Sequence, residues 1–265
     1  MIRVGFIIVI IAIVAATLGP VLTPYDPASQ ELAHRLEGPS TAHPLGLDEL
    51  GRDILSRLLS GARISLLVGL AVVSISSVVG MLLGSIAGYF GGVVDDVISR
   101  LVDVLMAFPG ILLAIALVAV LGPSLTNVVL ALSVIGWVGY ARLVRSQALR
   151  AREFEFVQAA RALGAGSPRI VLRHVLPTAL PAVVVQATLG MAGAIIAEAA
   201  LSFLGLGVQP PTPSWGTMLD AGRSHLFDAP HLTIFPGIAI AVLVLGFNFL
   251  GDGLRDRVDP KLAGR

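Results

Sequence analysis

About six stretches of this chain are too apolar and too long to end comfortably in water. They run from about Val4 to Leu22, Ile64 to Phe90, Leu101 to Leu121, Leu125 to Tyr140, Ala182 to Leu206 and Leu232 to Leu250. A helix needs roughly 20 apolar residues to cross a hydrocarbon core of about 30 Å. Inside that core each backbone N–H and C=O must find its partner within the protein, which favours helices over open strands. The expected fold is therefore all-α: a polytopic membrane protein with about six transmembrane helices. Composition agrees, because only 13% of the residues are charged and 55% are hydrophobic, whereas soluble domains carry about a quarter charged residues.

The first run raises the alternative of a secretory signal peptide, with small residues Ala15, Ala16 and Thr17 late in it. Signal-peptide cores span about 7–15 residues, and this run is longer, so a retained helix is expected. Gly80, Gly84 and Gly88 form two overlapping small-xxx-small repeats in the second run. Such repeats let helix backbones approach closely, and ordinary packing within the bundle is preferred here to a dimer motif. Pro109 lies inside the third run. Gly122-Pro123-Ser124 is a tight turn to the fourth, and Pro181 and Pro236 mark the starts of the last two.

Arginine bias orients the chain, since cytoplasmic loops collect cations. Arg142, Arg145, Arg150, Arg152, Arg161, Arg169 and Arg173 lie between the fourth and fifth runs, and Arg255, Arg257, Lys261 and Arg265 follow the sixth. Six spans put both segments, and both termini, in the cytoplasm. The stretch between the first two runs dissents, with Arg35, Arg52, Arg57 and Arg63 on the outer side beside six acidic residues.

The segment from about Ala141 to Pro181 is too long for a simple connection. Glu153 to Leu163 reads as an amphipathic helix, with Phe156, Ala160 and Leu163 on one face. Glu153 and Glu155 occupy its first turn, which favours acids, and Gly164 ends it as a C′ glycine. Ser167 and Pro168 read as N-cap and N1 of a second short helix that stops before Pro177. The residues themselves leave two readings open: a slim, alanine-rich element that enters a groove on another protein, or a helix resting on lipid headgroups.

Other residues stand out singly. Glu198 is an acid deep in the fifth run, where ionisable groups are costly and mark function by default; a structural hydrogen bond is the plainer alternative. Asn248 in the last run is read as interhelical glue or a pathway contact. Trp215, after Pro210, Pro211 and Pro213, is expected at the outer interface or against an external partner. Asp48 to Arg63 forms an amphipathic pattern, with Leu50, Ile54, Leu55, Leu58 and Leu59 on one side. It is expected to lie along the outer membrane surface with its charges, among them Arg52 and Asp53, pointing outward. His43 and His174 have no partner or metal-site spacing, so no metal is expected. The chain has no cysteine, which removes disulfides, thiolate metal sites and cysteine nucleophiles. It has no Gly-x-x-x-x-Gly-Lys-Ser/Thr phosphate loop.

Gln158-Ala-Ala-Arg-Ala-Leu-Gly164, followed by His174-Val-Leu-Pro177, resembles the loop signature of permease subunits of binding-protein-dependent ABC importers. The resemblance extends to His43-Pro-Leu-Gly-Leu-Asp48, Gly51 to Arg63, Ala107-Phe-Pro-Gly110, Glu198 to Gly207 and Pro210 to Gly216, which are similar to dipeptide, oligopeptide and nickel-type permeases, in the family's order. The arrangement is that of the second, C-type member of the permease pair. The resemblance implies the MetI-like fold, with residues 1–63 as first helix plus outer amphipathic segment and 64–265 as permease core. It implies a coupling helix that seats in a cytoplasmic ATPase, carried by Phe156, Gln158, Ala159, Ala160, Leu163, Gly164 and Pro177. Glu198 and Asn248 become candidates for the pathway or gate, and Arg52, Asp53 and Trp215 for the receptor-facing surface. The family's usual glutamate is Gln158 here. The implied partners are a second homologous permease, two ATPase subunits or domains that carry ATP and Mg, an extracytoplasmic substrate-binding protein and the lipid bilayer of a prokaryotic cytoplasmic membrane, with no nucleic acid. The implied cargo is a di- or oligopeptide; nickel chelates or haem-like molecules are the alternative. No cofactor or catalytic residue is expected in this chain, and a membrane-embedded enzyme is the remote alternative.

Overall fold

The computed structural model describes residues 1–23 and 25–258, so Pro24, Lys261 and Arg265 lie outside the described residues. The described residues form ten α-helices: α1 (Ile2–Leu22), α2 (Ile54–Phe90), α3 (Gly92–Met106), α4 (Gly110–Leu121), α5 (Leu125–Ala151), α6 (Glu155–Ala162), α7 (Ser167–Ile170), α8 (Leu176–Phe203), α9 (Trp215–Gly222) and α10 (His231–Val258). Among the described residues the only β pairing is an isolated bridge between Leu47 and Asp53. Among the described residues five helical stretches are long and apolar enough to cross a membrane, and a sixth arises if α3 and α4 count together.

That pair corrects the expected third span. α3 and α4 meet at 85° across residues 107–109. Pro109 is the N-cap of α4. Proline disfavours helical backbone at the residue before it and offers no N–H, so the chain turns instead of continuing. α4 alone is about 18 Å long, and α3 carries Asp95, Asp96, Arg100 and Asp103. By contrast, Pro181 and Pro236, expected at helix starts, lie inside α8 and α10.

α2 is one unbroken helix of 37 residues, about 55 Å long and thus longer than the hydrocarbon core. Asp53 caps it by accepting from the Ser56 backbone N–H at 2.7 Å. Residues 54–63, expected as a surface helix, are therefore its first turns, and a division at 63/64 falls inside it. Its charges also turn inward. Asp48, Arg52, Asp53 and Arg57 are all buried. Asp48 accepts from Arg52 Nε at 2.7 Å and lies 3.3 Å from Arg57 Nε. Asp53 pairs with His43 Nδ1 at 2.9 Å, and His43 stacks on Tyr25, so His43 has the partner that its sequence neighbourhood lacks. Burial is tolerable because the charges satisfy one another.

α2 and α5 form the spine of the bundle. A Cβ on Gly80 would meet the Trp137 carbonyl at 2.7 Å, and one on Gly88 the Ala148 Cβ at 2.7 Å. Gly84 faces Ala141 and Val144 in the same way. The repeat thus packs α2 onto α5 of its own chain. α1 packs against α10 and α2, and α8 against α2, α5 and α10.

Candidate functional site

Two features gather the chemistry of this chain: a short hairpin at the end of α5 and an open cavity between helices of the bundle. α5 runs to Ala151, so Ala141–Ala151, expected to begin a loop, is helix. After three intervening residues α6 starts at Glu155, with Phe154 as its N-cap. It is shorter than the expected Glu153–Leu163. Its end is a Schellman motif: the Gly164 N–H donates to the Arg161 carbonyl and the Ala165 N–H to the Ala160 carbonyl, each at 3.0 Å. Gly164 has φ +83° with open space around it, so glycine is needed there for backbone conformation.

The second short helix differs from expectation. Gly166 is the N-cap of α7, placing Ser167 and Pro168 inside it. It does not stop before Pro177, because a wide π turn over Val171–Val175 carries it into α8. Such a turn relaxes the local ladder, which accommodates the ring and missing N–H of Pro177.

Val157 is the buried anchor of α6. Val157 is fully buried with Tyr89, Ala148, Ala151, Ile170, Val171 and Val175. The Arg161 guanidinium lies over the Tyr89 ring at 5.5 Å. The remaining apolar residues face outward: Leu163 is 88% exposed and Phe156 48%. Gln158, Ala159, Gly164 and Pro177 are exposed too, and Ala160 is half-buried. The Gln158 amide donates to the Glu153 carbonyl at 3.2 Å. Phe156, Gln158, Ala159, Leu163 and Gly164 are thus the exposed residues of α6 and the turn that ends it, with Pro177 further along the chain in the first turn of α8.

The cavity, about 280 Å³, lies between α2, α4, α5 and α8. Glycines keep it open. A Cβ at Gly190 would meet the Tyr140 hydroxyl at 2.5 Å, one at Gly136 would run into the Ser76 hydroxyl, and Gly193 faces empty space. The lining has no charged side chain; its polar groups are Ser76, Tyr140 and Gln186. The Ser76 hydroxyl is buried without a hydrogen-bond partner. A larger cleft of about 410 Å³ between α1, α2 and α10 is apolar throughout, since the Trp215 indole N–H is committed to the Leu58 carbonyl at 2.9 Å.

The pathway candidates read from sequence do not border this cavity. Glu198 is fully buried, accepting from Ser65 Oγ on α2 at 3.1 Å and from Ser202 Oγ at 2.7 Å. Its place is that of the structural hydrogen bond. Asn248 lies half-buried on α10, away from the cavity. The expected receptor-facing trio is also inside: Arg52, Asp53 and Trp215 are 7%, 4% and 4% exposed. The two charges are held by their ion pairs, and the indole fills the α2–α9 contact. Sequence reasoning missed Ser76, Tyr140 and Gln186; an uncharged amide within an apolar run was the signal available for Gln186. It also missed the Asp95–Arg145 ion pair, bidentate through Nη2 at 2.7 Å and through Nε, which ties α3 to α5.

Comparison with known proteins adds an independent line. The family pattern "Binding-protein-dependent transport system inner membrane component" matches residues 80–264. The pattern "N-terminal TM domain of oligopeptide transport permease C" matches residues 1–39. The chain is 48% identical over 259 residues to the dipeptide transport system permease protein DppC of Alkalihalophilus pseudofirmus, covering 98% of this chain and 85% of that one. It is 48% identical over 258 residues to the glutathione transport system permease protein GsiD of Pectobacterium atrosepticum, covering 97% and 85%. Its fold is similar to that of a chain of the inward-facing MetNI methionine ABC transporter, with TM-score 0.61 and 20% identity over 77% of this chain and 97% of that one.

Proposed function

Because the chain belongs to the family of binding-protein-dependent transport system inner membrane components, we propose that it is a permease subunit of an ATP-driven importer that moves di- or oligopeptides across the cytoplasmic membrane. The relatives' transport of a dipeptide and of glutathione, as their names state, favours peptides over nickel chelates or haem-like cargo. In this reading the chain itself performs no chemistry. Two ATPase subunits or domains bind and hydrolyse ATP with Mg, a second homologous permease completes the pathway, and an extracytoplasmic binding protein delivers cargo. Both termini and α6 lie in the cytoplasm, in keeping with the arginine bias of Arg142–Arg173 and the tail.

The observation that carries the reading is the tip of α6. It presents exposed Leu163 and the half-exposed ring of Phe156 while Val157 anchors it. An apolar tip on a short helix that follows α5 after three residues and leads through α7 and the π turn into α8 suits a mechanical input: closure of the ATPases pushes α6, and α5 and α8 carry the push to the cavity walls. Gln158 makes its contact neutral where the family's glutamate would be charged, roughly halving the strength of that one bond.

A pair of aspartates separates docking from folding. Leu163→Asp leaves the chain folded and abolishes co-purification of the ATPases and cargo-stimulated ATP hydrolysis. Val157→Asp buries a charge and detaches α6, lowering the yield of folded chain. Normal ATPase capture by the Leu163→Asp protein would refute the docking role.

A further inference from the structure

We infer that the cavity between α2, α4, α5 and α8 is a cargo-contact site that recognises the main-chain amide of a peptide through Gln186 and Tyr140. The inference rests on the peptide-import reading and names the residues of this chain that would meet the cargo.

Gln186, Gly190, Gly193, Ala194 and Ala197 all line the cavity. Their spacing, i, i+4, i+7, i+8 and i+11, puts them on one face of α8. That face is one carboxamide followed by a stripe of small residues. The Tyr140 hydroxyl on α5 reaches the Gln186 backbone carbonyl only at 3.5 Å, so its hydrogen-bonding capacity is largely unspent. Among the described residues the Gln186 carboxamide makes no hydrogen bond. The Ser76 hydroxyl, 1% exposed, is unpartnered in the opposite wall against Gly136. An unpartnered hydroxyl buried in a membrane bundle is costly, and Ser76 shares the lining of this cavity with the Gln186 carboxamide and the weakly engaged Tyr140 hydroxyl.

The chemistry selects the ligand. A carboxamide offers one acceptor and two donors, and a phenol offers one donor and an acceptor. Together they match the C=O and N–H of a peptide unit. No lining residue carries a charge, so the charged termini of a peptide find no counter-ion in the cavity, and its uncharged main-chain amide is the group this lining can pair. The walls are otherwise Val, Ile, Leu, Ala and Gly, which accept varied apolar side chains without reading their identity. Neutral hydrogen bonds also hold cargo weakly, and transport needs contacts weak enough to release.

The test uses the complete importer with its binding protein in proteoliposomes and labelled trialanine. Gln186→Leu and Tyr140→Phe each lower the peptide moved per ATP hydrolysed, by about fivefold for each hydrogen bond removed. The chain has no cysteine, so Gly193→Cys supplies a single thiol at a position with open space. During turnover, trialanine delivered by the binding protein slows modification of that thiol by a small neutral maleimide. If the wild-type importer moves trialanine but both substitutions leave the peptide-to-ATP ratio unchanged, or the thiol reacts at the same rate with and without trialanine, this inference is overturned while peptide import stands. A wild-type importer that moves no peptide overturns the peptide reading and this inference with it.

Discussion

Replacing Glu198 with leucine and with glutamine separates an anchor from a pathway acid. Glu198 is fully buried and accepts from Ser65 on α2 and Ser202 one turn along α8. Leucine removes both acceptors. Ser202 can turn back to the carbonyl four residues before it, which leaves the interhelical bond to Ser65 as the main loss. A buried donor stripped of its partner costs about 1–3 kcal/mol; interhelical bonds in membranes average nearer 0.6 kcal/mol, so the lower end is favoured. For a chain of this size about 2–4 °C accompanies each kcal/mol, hence a fall of roughly 2–12 °C in melting midpoint. Glutamine keeps one carbonyl oxygen for one serine and offers its amide N–H to the other, whose hydroxyl then accepts. Glu198→Gln is therefore expected to melt within about 2 °C of wild type and to retain peptide uptake. The assay is the melting of the detergent-purified importer, paired with uptake in proteoliposomes. An unshifted midpoint for Glu198→Leu would remove the anchor. Loss of uptake by a normally melting Glu198→Gln protein would restore a pathway role.

Gly84→Leu drives a side chain into Ala141 and Val144; it is expected to separate α2 from α5 and abolish folded yield, at a cost above the roughly 1–3 kcal/mol of ordinary overpacking. Gly139→Ala, which meets nothing within 4 Å, is the tolerated control. Asp95→Asn loosens the tie between α3 and α5: with the Arg145 side chain 38% exposed, solvent screening limits the loss to about 1 kcal/mol. Hydrogen exchange over Gly92–Met106 should rise about fivefold, and the difference should shrink in high salt. Equal exchange in the two proteins would show that packing of Val102 alone holds α3.

Much of the fold is legible in sequence because it follows from local rules. The Gly80, Gly84 and Gly88 spacing places three small residues on one helix face whatever packs there, and Gly164 closes α6 through its own backbone. Pro109 was visible, but its 85° consequence was not, since the angle depends on what α3 and α4 rest against. The outer segment was misread for one reason: charges are assigned to water by default. Arg52, Arg57 and Asp53 are buried because Asp48 and His43 lie within reach, and that pairing exists only after the segment folds back on α2.

The cavity was illegible for a related reason. Ser76, Tyr140 and Gln186 lie on three different helices, and nothing in their local sequence brings them together. Glu198 drew notice instead, because a charge in an apolar run is conspicuous in one dimension. The sequence by itself determined that this chain carries apolar helices long enough to span a membrane, and that a short helix closed by a glycine follows the fourth apolar run, since hydropathy and glycine capping act over a few residues. Only the tertiary structure decided which faces those helices turn to each other, that Val157 anchors α6 while Leu163 points away, and that three uncharged polar groups meet at one cavity, because those outcomes depend on contacts between residues far apart in the chain.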